Sequence, residues 1–363
     1  MEKSKISWID IFVTERCNLN CKYCFHKKNP IDMSYDTLDK ALDFLGNRIS
    51  ENIVFNFFGG EPTLRKDFCI YWIQELKRRF KKCRFHIATN GVLYDQELTD
   101  VLRHNKAIVQ VSYDGINQNI SRGKGDIVLK NLKTYIKQLP ISVRLTFTRD
   151  TVRDLYKNVE HIYGLGVKRF IHHAELNTNW TDNDIKIYKE QLDKIYEFLD
   201  EHDDFDMSFC DCGKIDRQDK QNARCSMGKT LIALSADGSI YPCHRMIKFK
   251  QFKIGDIFSR YLDRGKFLNL EILNCSSCKA KNVCHPCMAA FYEFNGSFIE
   301  PLKATCEINK YEYDKMKEKH DTWWLDMSPY EDIINKATSV LEDVCDSQKY
   351  IIKELKYYEE LID

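Results

Sequence analysis

Apolar residues over the first two hundred positions fall into short runs separated by stretches with a helical repeat. Ile6–Val13, Ile53–Phe58, Arg84–Ala88, Ile108–Ser112, Ile141–Thr148 and Val167–His172 are β-branched or aromatic enough to predict strands. Between them the spacing predicts helices over Tyr35–Ile49 (Ser34 as N-cap), Lys66–Phe80, Asp95–His104, Asp126–Gln138, Val152–Gly164 and Thr181–Leu199. Six strand–helix units in succession imply an α/β fold with a parallel sheet and helices outside, as an open barrel or a doubly wound sheet.

From residue 205 to 312 the segments shorten and are punctuated by Cys, Gly and turn residues. Leu231–Ser235 and Ser239–Tyr241 flank Ala-Asp-Gly and read as a hairpin. Continuous apolar surface is scarce there, so the segment is expected to need metal to organise it. From Tyr330 to Asp363 the helical period returns. Ile334, Ala337, Leu341, Val344, Ile351, Leu355, Tyr358 and Ile362 form a heptad-like stripe that would pack on the protein itself or on a partner. The expected organisation is therefore 1–204, 205–312 and a helical tail, 313–363.

Composition changes this picture mainly through cysteine. The 363 residues carry a net charge of +1, with 43% hydrophobic and 30% charged residues, so no global field recruits nucleic acid or a membrane surface. No apolar run approaches the roughly 18 residues of a membrane span, and the start MEKSKISWID has no signal-peptide core, so a cytoplasmic protein is expected. Fifteen cysteines in a reducing compartment point to metal ligands rather than disulfides. None falls between Cys83 and Cys210, so they mark two separate sites.

The first set is Cys17, Cys21 and Cys24 in the stretch TERCNLNCKYCF, at the carboxyl end of the first strand, where open α/β folds place ligands. Three thiolates leave one position of a four-ligand centre unfilled, as in an iron–sulfur cluster with one open iron; a zinc site and a chance cluster are the competing readings. The spacing, with aromatic Tyr23 before the third cysteine, resembles the signature loop of the radical S-adenosylmethionine (radical SAM) enzymes. The resemblance implies a partial (β/α)6 barrel, a [4Fe–4S] cluster on these three thiolates, and S-adenosylmethionine on the open iron. Reductive cleavage of that cofactor would give a 5′-deoxyadenosyl radical that removes a hydrogen atom from a substrate.

Further strand ends match the same family. Phe58-Gly59-Gly60-Glu61-Pro62 follows the second strand, and in the resemblance Gly59, Gly60 and Glu61 receive the amino group of the cofactor. The glycines would let the backbone approach a ligand closely. Asn90 after the third strand would support the pocket, and Ser112 after the fourth would touch the methionine moiety or ribose. Asn-Gly and Asp-Gly are also common turn pairs, so both positions keep a plain turn as the alternative. Phe25 is expected to pack against the cluster.

The second set comprises Cys225, Cys243, Cys275, Cys278, Cys284, Cys287 and Cys306, and resembles the SPASM extension, which holds two auxiliary [4Fe–4S] clusters. The resemblance assigns Cys275, Cys278, Cys284 and Cys306 to the outer cluster and Cys225, Cys243 and Cys287 to the inner one, with Cys212 or Cys210 as candidate fourth ligand. Two residues separate Cys284 from Cys287 where the family usually has three between them, and paired C-x2-C blocks are also zinc spacing. After Tyr241-Pro242-Cys243, sulfatase-maturing members carry an aspartate general base. Here His244 takes that place, and it and Asp211 are the candidate proton-transfer residues. One of His172 and His173 faces the interior, since side chains alternate along a strand.

The expected activity is that of a peptide maturase forming a thioether or carbon–carbon crosslink in a ribosomally made precursor. The partners would be a precursor peptide or protein substrate, a reductant such as flavodoxin or ferredoxin, and a separate leader-binding protein. Alternatives are a sulfatase-maturing enzyme, a small alcohol or sugar dehydrogenase, and a non-catalytic metal-binding module.

Overall fold

Strand β1 (Ile6–Thr14) runs through the middle of the sheet, and almost every residue in it is buried. In the computed structural model, which describes residues 5–175, 179–202, 204–208, 225–281, 284 and 286–323, the order of elements follows the sequence pattern closely. β1 is followed by α1 (Tyr35–Leu45), β2 (Ile49–Gly59), α2 (Lys66–Arg79), β3 (Arg84–Thr89), α3 (Gln96–His104) and β4 (Ile108–Ser112). Then come α4 (Gly125–Ile136), β5 (Ile141–Phe147), α5 (Leu155–Gly164), β6 (Arg169–Ala174), α6 (Asp182–Glu201) and β7 (Asp206–Ser208).

Helix starts obey capping chemistry. The Ser34 hydroxyl accepts from the Thr37 amide, Asp95 from Leu98, and Thr181 and Asp184 form a capping box. The expected end of the first helix at Ile49 is corrected: the chain leaves α1 at Gly46 (φ 44°), makes one 3-10 turn, and Ile49 already opens β2. Strand β6 lies two residues beyond its expected span.

Strands β1 to β7 are parallel neighbours in sequence order, which gives the partial barrel with one strand more than the pattern predicted. The cysteine-rich half adds β8 (Leu231–Leu234), β9 (Ser239–Tyr241), β10 (Gly255–Asp256) and β11 (Tyr261–Leu262), then α7 (Met288–Asn295) and α8 (Lys303–Trp323). The β8–β9 hairpin is as expected, but it is not held by metal alone. β8 pairs parallel with β1 from Trp8↔Leu231 to Ile11↔Leu234, so one eleven-stranded sheet runs β11-β10-β9-β8-β1-β2 through to β7. Ile232, Ala233 and Ile240 join the same buried core as Ile9, Phe57 and Val143.

Cys210, Asp211, Cys212 and the heptad-striped tail from Tyr330 to Asp363 lie outside the described residues. No helix among the described residues is long and apolar enough to cross a membrane.

Candidate active site at the barrel mouth

Beyond β1 the chain folds into a loop closed at its base, where the amides of Glu15 and Met33 donate to the carbonyls of Ile31 and Val13, at 2.9 and 3.0 Å. Cys17 and Cys21 are half-buried on this loop and Cys24 is exposed, one tight turn from Cys21. Burial pushes the thiols of Cys17 and Cys21 up, and the charges of the other loop thiols add to that, so the three sulfurs lie within electrostatic reach of one another.

Contacts from distant strand ends hold the loop. The amides of Gly60 and Glu61 donate to the carbonyls of Thr14 and Arg16, each at 2.8 Å. A Cβ at Gly59 would stand 2.2 Å from the Thr14 oxygen, and one at Gly60 would stand 2.1 Å from the Arg16 oxygen. The glycine pair is therefore needed for backbone-to-backbone packing against the cysteine loop. On the opposite side, the Lys22 amide donates to the Ser121 carbonyl at 3.0 Å and the Tyr23 hydroxyl to the Asp114 carboxylate. Asp114 is buried, accepts also from the Ser121 hydroxyl (2.7 Å) and the Thr146 amide (2.9 Å), and forms an ion pair at 3.0 Å with the Arg122 guanidinium, which lies over the Tyr23 ring. Tyr23 thus serves as an anchor in this structure, and burial together with Asp114 pushes its phenol well above the usual range.

Glu61 is fully buried. Its carboxylate accepts from the Thr63 amide (3.1 Å) and hydroxyl (2.6 Å), the Thr89 hydroxyl (2.8 Å) and the Asn90 amide (2.7 Å). These bonds tie the ends of β2 and β3 together; burial nevertheless raises its pKa. The Asn90 side chain turns toward the loop, its amide donating to Asn18 Oδ1 at 2.7 Å and to the Cys17 sulfur at 3.7 Å. Asn90 is therefore more than a turn residue. Ser112 is half-buried at the end of β4, paired in register with Arg144 of β5.

The second cysteine set divides in space. Cys225, Cys243 and Cys287 feel one another's charge; burial pushes Cys225 up to about 11 and Cys243 well above its ordinary value. Cys275, Cys278, Cys284 and Cys306 form the other group, each raised thiol again dominated by burial with its neighbours' charges adding. Cys287 falls with Cys225 and Cys243 despite the shortened spacing before it. Among the described residues no three Cys, His, Asp or Glu side chains gather closely enough to hold a single metal ion. Three thiols and no fourth ligand in the first loop, with an amide donated to one sulfur, fit an iron–sulfur cluster with one open iron.

His244 joins the inner thiol group to the barrel. It follows Cys243, and its Nδ1–H donates to Asp10 at 2.7 Å, while its ring packs on Phe58 and Phe25 at 4.8 and 5.7 Å. Asp10 is buried on β1 and accepts also from Trp8 Nε1 and Asn56 Nδ2, both at 2.7 Å; Asn56 in turn accepts from His86 Nδ1 at 2.7 Å. Asp10, Asn56 and His86 sit in one register row across β1, β2 and β3. Burial opposes the Asp10 charge, but His244 and the three donors prevail and hold its pKa below the usual range. Phe25 packs under the Arg245 guanidinium as well as against His244, bridging the two halves.

Strand alternation places His173 inward, toward Arg144, Arg245 and His244, while His172 packs outward on Tyr188 and Glu312. Cys69 and Cys83 are buried and act as small apolar residues. Sequence reading missed Asp10, Asn56, His86, Asp114 and Arg122. A signal was available: a charged or polar residue interrupts each apolar run at ISWIDIFV, NIVFNFF and RFHIA.

A parallel β1–β7 sheet with a three-thiol loop pinned at its strand ends is the arrangement that the radical SAM resemblance implied. Residues 11–172 match the model of the radical SAM superfamily, and a cysteine-rich region follows them. The fold is that of the solved structure of anSMEcpe with bound AdoMet, at TM-score 0.72 and 20% identity over 86% of this chain and 94% of that one. A second structure of anSMEcpe also holds a Cp18Cys peptide. Among curated relatives, the antilisterial bacteriocin subtilosin biosynthesis protein AlbA of Bacillus subtilis is 24% identical over 265 residues, 68% of this chain and 56% of AlbA. The serine-type anaerobic sulfatase-maturating enzyme of Bacteroides thetaiotaomicron is 32% identical over 111 residues, 27% of each chain. The chain spans 58% of the length of the first curated relative it matches.

Proposed function

We propose that this protein is a radical SAM peptide maturase that abstracts hydrogen from a ribosomally made peptide and forms a thioether or carbon–carbon crosslink. The observation that carries the reading is the His244–Asp10 bond at 2.7 Å, which seats the inner thiol group against the barrel interior where a substrate would react. Cys17, Cys21 and Cys24 would hold the first [4Fe–4S] cluster, and Cys225, Cys243 and Cys287 the inner one. Cys275, Cys278, Cys284 and Cys306 would hold the outer one. With S-adenosylmethionine bound, that first centre would supply one-electron reductive cleavage of the sulfonium.

The chain's own residues do the rest. Gly59, Gly60 and Glu61 fix the cysteine loop against β2, Asn90 donates to Cys17, and Ser112 stands beside Arg144 at the strand ends that face the cofactor. Asp10 holds His244 in the tautomer with Nδ1 protonated, leaving Nε2 to take or give a proton. The relation to AlbA and the peptide complex of anSMEcpe support a peptide substrate. Sulfatase maturation is the second reading, favoured by the fold likeness to anSMEcpe and the sequence relation to the Bacteroides enzyme.

Anaerobically reconstituted protein given dithionite should release 5′-deoxyadenosine, and Cys21→Ala should abolish it; no release by the wild type would refute the enzyme reading. A co-expressed precursor peptide should lose two hydrogens per crosslink by mass spectrometry. A formylglycine mass shift in a sulfatase peptide would decide for the second reading.

A further inference from the structure

The two faces of the barrel strands are packed differently. Outward-facing Ile87, Val111, Leu145 and Phe170 are buried in the core, whereas Ala88, Arg144, Ile171 and His173, which alternate with them, stay half-buried. The interior is therefore an open chamber rather than a filled core. Its floor is a separate apolar cluster of Val54, Ile108 and Trp8. On the β1–β3 wall the hydrogen bonds are spent: Asp10 accepts from three donors, and both ends of the Asn56 amide are bonded, to Asp10 and to His86. The β4–β5 wall differs. Gln110, one inward step above Ile108, is 7% exposed and Ser142 is 2% exposed, and among the described residues neither side chain has a hydrogen-bond partner. They are register partners on adjacent parallel strands, and small Ala88 pairs with Gln110 on its other side. A buried amide and hydroxyl without partners are costly unless a ligand or water answers them.

The unspent groups select their ligand. Gln110 offers an acceptor oxygen and an N–H donor side by side on one planar group, and Ser142 adds a hydroxyl. A carboxylate brings no donor and an ammonium no acceptor. A trans peptide group points its N–H and C=O in opposite directions, so it can answer only one end of the Gln110 amide. A primary carboxamide presents oxygen and N–H together, closes two bonds with Gln110 and keeps a second N–H for Ser142. Resting on the proposed function for the peptide nature of the occupant, we infer that Gln110 and Ser142 form a recognition site for a primary carboxamide, the side chain of an Asn or Gln residue of the substrate. No bond is made or broken at this site; it selects and orients the peptide below Ser112 and the other strand ends that face the cofactor. Arg144, one register step above Ser142 on the same wall, is the group that would draw a carboxylate instead.

The test uses reconstituted, unreduced protein with S-adenosylmethionine and a panel of capped amino acids, the N-acetyl N′-methylamides of asparagine, glutamine, aspartate and leucine. Affinities are read by saturation-transfer NMR. The leucine probe carries the same two peptide groups without the carboxamide, and the aspartate probe replaces it with a carboxylate. The asparagine or the glutamine probe should bind on the order of tenfold more tightly than both of these. Gln110→Leu should erase the preference, with retained S-adenosylmethionine affinity as the sign that the variant folds, and Ser142→Ala should weaken it by about threefold. Equal affinity of the wild type for the whole panel overturns the inference, as does tightest binding of the aspartate probe, which would assign the wall to Arg144 and an acidic residue. A preference that survives in a folded Gln110→Leu overturns it too, and the ranking by the wild type decides even where a variant does not fold. The proposed function fails separately, on absence of 5′-deoxyadenosine release with dithionite, whereas the probe ranking is read without reduction.

Discussion

The first cysteine loop and the outer cysteine group carry the same functional atoms but are held in opposite ways. Cys17, Cys21 and Cys24 sit on a loop whose anchors come from far along the chain: Gly60 and Glu61 after β2, Asn90 after β3, Ser121 and Asp114 after β4. Around Cys275, Cys278, Cys284 and Cys306 the backbone bonds are mostly local, the 2.8 Å bond from the Leu273 amide to the Ile299 carbonyl being a long-range exception. The Cys278 amide donates to Cys275 at 3.2 Å, Cys284 to Ala280 at 2.8 Å and Cys306 to Leu302 at 3.1 Å. Long-range anchors belong to the cooperative core, while local turns contribute little order by themselves. The first loop is therefore held by the fold itself, and the outer group, if it binds metal as proposed, would gain more of its order from it.

Removing iron gives the largest expected contrast. In hydrogen exchange followed by mass spectrometry, chelation should speed exchange over 273–281 by on the order of a hundredfold and change 14–33 far less. Equal deprotection of both would break the comparison. Next in size is a pair of substitutions that remove a cation from each region. Arg122→Gln strips the partner from buried Asp114 and should cost about 3–5 kcal/mol in denaturant unfolding. Lys279→Gln, whose bond to Asp314 is 2.5 Å but half-exposed, should cost less than about 1 kcal/mol. The same Arg122 variant removes a positive charge near Cys21, so the first cluster should become harder to reduce, read as a lower midpoint potential by electron paramagnetic resonance.

A further effect, confined to acid pH, lies at His86 on β3. Burial pushes His86 down to about 4, so the unfolded chain binds a proton near pH 6.5 that the folded one refuses. Stability should be full above pH 6.5 and fall by roughly 3 kcal/mol as the pH drops toward 4. His86→Gln should flatten that slope in pH-dependent unfolding, whereas an unchanged slope would place the acid sensitivity elsewhere. Glu61, raised by burial, acts with the opposite sign: just above pH 4.5 the folded chain keeps a proton that the unfolded one has released, so its contribution to stability rises as the pH falls toward 4.5.

Much of this was readable in the chain. The six βα units appear within a few residues of their expected ends because each apolar run is short, β-branched and closed by turn chemistry. Ser34 and Thr181 act as caps whatever surrounds them, since capping uses only neighbouring amides. Asp10, Asn56, His86 and Arg122 were harder to read. Each looks like an ordinary polar residue until strands β1 to β5 bring it beside partners dozens of positions away.

The amino-acid sequence by itself determined the alternation of strands and helices and the positions of the thiols, because periodicity and turn chemistry act over a few residues. Only the tertiary structure decided that β8 extends the barrel's sheet at β1, that Tyr23 is tied to Asp114, and that His244 rests on Asp10. Those are contacts between segments 91 to 234 residues apart, chosen by which faces can be buried together with their hydrogen bonds satisfied.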